Sequence, residues 1–459
     1  MLSCSDSTAP ATAFRPRLYR LAAALLASMV AAPAFALHPG QDGVRITIPI
    51  TGTDDIAYAA ALDPSGNVVM AGATSNGNAA LASVTRDGFL NSSFGGGGNG
   101  FVTYNFSSST DNFFALVPVG DGRFVACGTT FGASTAIDFL VARFESDGSL
   151  DPSFAGGYVD TPFSLTGSGG ELFDQCNAVA VQSDGKIVAA GFTDENGPDQ
   201  VALTRYTTDG QLDMTFGNQG KVVINAGQNA NGSSQAHALL VQPDGRLLVA
   251  GFASGQFNSE FLLMRLDSDG TPDATFGSGG IVRTPVGTGE DIANAMVLQP
   301  DGRIVTAGSS VATDGRRDFA LARYTTAGAL DATFGTGGLV TTPVGPGDDI
   351  AYSLIRMPWG RLIAAGSARI STSAGGTDLA LISYNGDGSV DRFFGDQGIV
   401  MLDVSDNQDT VYGLVNDIDG EHFWAVGTAE PTSNQDFLAV EFGLDDTIFR
   451  HGFDSNTAP

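Results

Sequence analysis

Lysine is almost missing from this chain. Only Lys186 and Lys221 occur among 459 residues, and Lys and Arg together number 22 against 50 Asp and Glu, for a formal charge of −28. Binding to nucleic acid or to an anionic membrane depends on cations neutralising phosphate, so this balance excludes both as partners. Cysteine is scarce too, with three residues in all, and no CxxC or Cys/His cluster marks a zinc site. Long amphipathic segments with helical periodicity are absent. No G-x-S-x-G or histidine-based metal motif is present, and Gly95-Gly-Gly-Gly98 and Gly337-Gly338 open no βαβ unit that a phosphate loop requires.

The N-terminus is a region apart. Arg15, Arg17 and Arg20 precede the apolar run Leu21 to Val30, and Ala34-Phe35-Ala36 follows. A basic region, a short apolar core and an A-x-A end describe a secretory signal peptide over residues 1–36. Cys4 lies ahead of the apolar core, so it is not placed as a lipid-anchor cysteine. Later stretches stay short of the roughly 18 apolar residues of a membrane span. The expected mature protein is exported, at the cell surface or in the medium, with the periplasm as the alternative. Loss of three Arg and one Asp with the leader moves its charge to −30. Cys127 and Cys176 remain. Export permits a bridge between them, while burial as small apolar residues is the commoner fate of sparse cysteines.

What the chain has in plenty is glycine, 61 residues, well above the usual share of about 7%. Short apolar runs lie between Gly, Asp and Asn clusters, the pattern of an all-β protein. These runs repeat. A turn glycine followed by an apolar strand recurs as Gly66-NVVMAG, Gly122-RFVACG, Gly185-KIVAAG, Gly245-RLLVAG, Gly302-RIVTAG, Gly360-RLIAAG and Gly420-EHFWAVG, at intervals of 56, 63, 60, 57, 58 and 60 residues. Such periods indicate solenoids, propellers or arrays.

Each copy predicts four strands. In the fifth, DIANAMVLQ precedes the PDG turn, RIVTAG follows it, DFALARY comes after a variable loop, and the linker LDATFGTGG leads to LVTTPV. Pro162, Pro285 and Pro343 fall in the fourth segment, and proline is confined to sheet edges, so the fourth strand is expected outermost. The chain starts on an unattached fourth segment, GQDGVRITIP from Gly40, and ends after a third segment, FLAVEF (Phe437 to Phe442), and a worn linker retaining Asp446 and Phe449. The initial strand therefore completes the seventh sheet and removes exposed edges. The prediction is a seven-bladed β-propeller of four-stranded blades over residues 37–450, with a C-terminal tail at 451–459.

LDxTFGxxG, DGRIVxAG and DFALARY at this spacing resemble the delta-60 repeat of bacterial secreted proteins over about residues 40–450. Blade 1 departs from the pattern, with Ala80-LASV in place of DFALARY and Asn91 in place of the linker Asp, and blade 7 has an extra residue after its turn. The resemblance implies a propeller-like architecture and an exported setting. It implies no activity and no catalytic residues.

Candidate sites remain. Asp55, Asp111, Asp174, Asp291, Asp349 and Asp409 each stand just before or at the first strand, and blade 4 has Ser234 there. Six carboxylates around one mouth of the axial channel suit calcium or a cationic partner. The competing reading has each Asp accept hydrogen bonds from amides of the turn between blades, and its repetition with the fold favours this structural role. Asp-Gly loops such as Asp267 to Asp273 lack the Glu of an EF-hand and read as turns. Arg143, Arg205, Arg265 and Arg323 are expected to pair with Asp151, Asp213, Asp273 and Asp331 above the linker phenylalanines. The histidines His38, His237, His422 and His451 form no motif. IFRHGFD (Ile448 to Asp454) reads either as the worn linker or as a short export tail.

The leading expectation is a non-catalytic, monomeric binding or scaffold protein, recognising a protein or glycan through variable loops. The alternative is a cation-dependent hydrolase or lyase with its site in the axial channel. No cofactor is evident, and calcium is the one ion the aspartates would suit.

Overall fold

A computed structural model describes residues 45–443 apart from 108, 132–136, 164–172, 196, 230, 370–375, 406 and 432–433. The leader 1–36, the tail 451–459, and Asp446, Phe449, His38 and His451 lie outside the described residues.

Seven antiparallel sheets of four strands account for all the described strands. The fifth blade shows the plan. Asp291–Leu298, Ile304–Val311, Arg317–Tyr324 and Leu339–Thr342 pair in that order, from the first strand to the fourth. The seven first strands touch one another in sequence, and the last, Asp409–Asn416, meets the first, Asp55–Leu62. They therefore form the hub of a closed ring, and the fourth strands form its rim. Pro162, Pro285 and Pro343 stand immediately beyond four-residue fourth strands rather than within them. There they end the pairing, since a proline has no N–H to give.

The ring closes as the two ends of the repeat array require. Arg45–Ile48 pairs antiparallel with Asp436–Gly443, with Arg45 opposite Val440 and Ile48 opposite Phe437. It thus supplies the fourth strand of the seventh blade. Between blades, apolar side chains from facing sheets interleave: Val305 and Leu321 of blade 5 share a cluster with Ala351, Leu354 and Leu362 of blade 6. At about 25 cal/mol per Å² of apolar burial, these inter-blade layers are the main source of stability.

A local device recurs in each blade. The first strand carries a bulge, in blade 5 between Ala293 and Ala295, and a glycine of the second strand faces it. A Cβ on Gly308 would sit 1.9 Å from the carbonyl oxygen of Ile292. The glycine that ends each repeated second-strand phrase thus records a close approach of two backbones.

Cys127 and Cys176 are joined by a disulfide with their Cα atoms 5.8 Å apart. The bridge is the reading that export permitted, and it settles an alternative the sequence left open. Cys127 belongs to the second strand of blade 2 (Arg123–Phe131) and Cys176 to the first strand of blade 3 (Asp174–Val181). These strands face each other across a blade junction, a proximity that sequence separation alone does not reveal.

Candidate functional site

The six aspartates lie at the start of the first strands, on the face that also carries the loops between second and third strands. All six are buried, at 0–1% exposure. Their carboxylates fold back onto the chain entering the blade. Asp55 accepts from the amides of Ile50 and Thr51 at 2.9 and 2.8 Å, and Asp111 from those of Phe106 and Ser107. Asp291 accepts from Val286 and Gly287, Asp349 from Val344 and Gly345, and Asp409 from Val404 and Ser405. Asp174 accepts from Phe163. Burial pushes Asp55, Asp174, Asp291, Asp349 and Asp409 above the ordinary carboxylate value, and these hydrogen bonds oppose it. In blade 4 the Ser234 hydroxyl takes over, accepting from Ala226 N at 3.1 Å. Among the described residues, only Asp409 of the six joins a cluster whose donor atoms lie within 4.8 Å of one another, together with Asp378 and Asp403.

A second acid heads the repeated DFALARY phrase, at Asp138, Asp318, Asp378 and Asp436. The Asp that begins the third strand in several blades sits near the first-strand Asp of the next blade. Burial, then Asp160 and Asp174, raises Asp138 to about 7. Burial, then Asp403 and Asp409, raises Asp378 to about 6, and burial, then Asp55 and Asp54, raises Asp436 to about 6. Burial, then Asp349 and Asp314, also raises Asp318. Asp138 Oδ1 and Asp174 Oδ1 are buried with no hydrogen-bond partner among the described residues. Like charges held together with incomplete solvation disfavour ionisation, which accounts for the shifts.

The opposite face handles charge differently. Arg143, Arg205, Arg265 and Arg323 place Nε 2.7–2.9 Å from Asp151, Asp213, Asp273 and Asp331. Each guanidinium also stands 4.5–4.8 Å over the ring centroid of Phe154, Phe216, Phe276 or Phe334. A second cation, from the residue after the turn, joins each Asp: Arg123, Lys186, Arg246 and Arg303. The hydroxyl and amide of Thr275, with Arg265, hold Asp273 at about 2. The carboxylates on this side are paired with cations, whereas those on the other side raise one another, with Lys221 partly offsetting the effect at Asp138 and Arg316 at Asp318.

The hub has its own lining. The bulged residues of the seven first strands are Tyr58, Phe114, Asn177, His237, Asn294, Tyr352 and Tyr412. Tyr58 lies 5.1 Å from Phe114 and 5.2 Å from Tyr412 between ring centroids, and Tyr352 lies 4.9 Å from Tyr412. The other arc is polar. Asn177 Nδ2 donates to the carbonyl of Ala236 at 2.8 Å, His237 Nδ1 and Asn294 Oδ1 are 3.0 Å apart, and Asn294 Nδ2 donates to Ala351 O at 2.9 Å. Burial lowers His237 and raises the three tyrosines. The available signal was a bulky, variable residue three positions beyond each repeat Asp, amid small ones. Neither His237 nor His422 has a serine, threonine or cysteine side chain as hydrogen-bond partner among the described residues.

Four repeats match a family model. Residues 120–154, 182–216, 242–276 and 299–334 match the family described as "Domain of unknown function (DUF5122) beta-propeller". No curated protein matches the chain in sequence. Among solved structures, the chain is similar to a protein of unknown function from Dyadobacter fermentans at 12% identity and TM-score 0.40, over 86% of this chain and 97% of that one. It is similar to Sqt1 from Chaetomium thermophilum at 15% identity and TM-score 0.42, over 85% and 97%. It is also similar to the polysaccharide lyase Uly1 at 9% identity and TM-score 0.45, over 85% and 90%. At these values the likenesses say nothing about activity. Among the described residues, no helix is long and apolar enough to cross a membrane.

Proposed function

We propose that the chain is an exported, non-catalytic member of the delta-60 repeat family that binds a basic surface of a protein partner. The docking face is the one bearing the loops between second and third strands. The observation that carries this reading is the set of weakly compensated acid pairs there: Asp318 with Asp349, Asp378 with Asp409, and Asp436 with Asp55. Lys or Arg from a partner relieves that repulsion and also steers the encounter. A cleft of about 360 Å³ between blades 4 and 5 opens on this face, lined by Phe252, Ser254, Phe257, Asn258, Glu290 and Ile292. With Phe257 86% exposed, it suits a side chain with an apolar stem and a cationic end. Export is supported by the leader pattern of residues 1–36 and agrees with the Cys127–Cys176 bridge, which oxidising compartments favour. The repeat phrases and the matched propeller model support the family assignment.

The test is titration of a synthetic lysine-rich peptide, beside a glutamate-rich one, into the purified mature protein. Salt-sensitive binding of the basic peptide alone is expected, weakened at least fivefold in Asp318→Asn, Asp436→Asn. Equal binding of both peptides, or none, would overturn the reading.

A further inference from the structure

We propose that the junction where blade 7 meets blade 1 holds a divalent transition-metal site made by Asp417, His422 and Glu441. Donor atoms of these three residues lie within 4.8 Å of one another. One imidazole and two carboxylates form a borderline donor set suited to zinc and its first-row neighbours rather than to calcium, which takes oxygen alone.

The repeat itself sharpens the case, because His422 and Glu441 break it. Backbone pairing puts His422 where other blades carry a cation: the amide of Asp417 bonds the carbonyl of His422 as Gln182 does Lys186, Gln242 does Arg246 and Gln299 does Arg303. Asp417 stands where blades 3 to 5 have glutamine and where blade 1 has Asp63. Glu441 lies opposite Trp424 as Arg143 lies opposite Val125 and Arg205 opposite Val188. A carboxylate has therefore replaced the arginine that elsewhere fastens linker to blade. Together with Asp417, these two changes turn a cationic clasp into a group of metal donors.

The surroundings agree. His422 Nδ1 lies 2.8 Å from Asp419 Oδ2, the carboxylate–imidazole contact that orients a metal-binding histidine. Asp417 is buried, while His422 and Glu441 are partly accessible, so an ion can reach the place. Arg86 of blade 1 lies 3.2 Å from Asp417 and 2.5 Å from Asp419. One guanidinium among three carboxylates leaves negative charge to compensate. Trp424 is fully buried and its Nε1 has no acceptor among the described residues. Its side chain shares a sheet face with that of its register partner Glu441. A water completing the coordination shell of an ion is the kind of acceptor this donor lacks.

The experiment is calorimetric titration of zinc into EDTA-stripped, dialysed mature protein, with His422→Gln and Glu441→Gln alongside. One zinc per chain at micromolar or tighter affinity is expected, weakened at least tenfold by either substitution, with a zinc-dependent rise in Tm for the wild type only. Absence of binding, or unchanged affinity in folded variants, overturns the site. If a variant fails to fold, anomalous diffraction from zinc-soaked wild-type crystals decides. A peak at Asp417, His422 and Glu441 supports the proposal, and peaks only elsewhere overturn it.

Discussion

Arg143 donates from Nη1 to the carbonyl oxygen of Thr208 on the next blade, 2.6 Å away, while its Nε stays 2.7 Å from Asp151 on its own. Arg205, Arg265 and Arg323 repeat the contact to Ser268, Thr326 and Gly386. A guanidinium suits this place because its fork serves two partners at once and its plane stacks on the phenylalanine below. The staples run in one direction from blade 2 to blade 6. At the closing junction the sense reverses: blade 7 presents carboxylates, and Arg86 of blade 1 supplies the cation.

Removal of one staple should leave a buried carboxylate with only the partly exposed Arg246 as its cation. Arg265→Met is expected to lower unfolding free energy in urea by about 3 kcal/mol, and Arg265→Met with Asp273→Asn to recover most of that loss. Equal stability of the single and double variants would show that the pair is not coupled.

Acid pairs on the loop face set a pH dependence. Burial and neighbouring acids push Asp138 up to about 7, and Asp378 and Asp436 up to about 6, against 3.8 for ordinary Asp. Groups raised in the folded state stabilise it while protonated, and that contribution is lost as pH climbs through 6–7. Asp151, Asp213, Asp273 and Asp331 are lowered, so their contribution holds above about pH 4 and is lost on further acidification. Tm should therefore be about 2–4 °C higher at pH 5 than at pH 8. Asp138→Asn should flatten that slope by raising the value at pH 8. A wild-type Tm that rises steadily from pH 5 to 8 would contradict the assignment.

Two glycines should respond differently to a methyl group. Gly308→Ala puts a Cβ into the carbonyl of Ile292 and should cost more than about 3 kcal/mol or prevent folding. Gly337 has φ +66° and open space for 4 Å around the place a Cβ would take, so Gly337→Ala should cost only about 1 kcal/mol. Chemical denaturation of both variants checks the contrast.

The blade count, the four-strand repeat and the borrowed closing strand were legible in the sequence because each is a periodic signal, and a break in a period is as informative as the period. The Arg–Asp–Phe clasp was legible for the same reason. The third-strand acids Asp138, Asp318, Asp378 and Asp436 head a repeated phrase, but their pairing was not legible, because their first-strand partners Asp174, Asp349 and Asp409 belong to the following blade, some 30–36 residues further on, and Asp55 lies at the other end of the chain from Asp436. The hub residues escaped for a related reason. A bulge turns Tyr58 or His237 toward the axis, and bulges leave no composition of their own.

Local chemistry in the chain determined the elements. Glycine turns, β-branched runs and linker phenylalanines specify strands and their order, whatever lies beside them. Tertiary structure alone decided which charges meet. Ring closure brings Arg86 to Asp417 across 331 positions, and blade packing brings Cys127 to Cys176. Electrostatic and covalent contacts depend on separations of a few ångströms. Those separations arise where consecutive blades face one another, and no single repeat contains them.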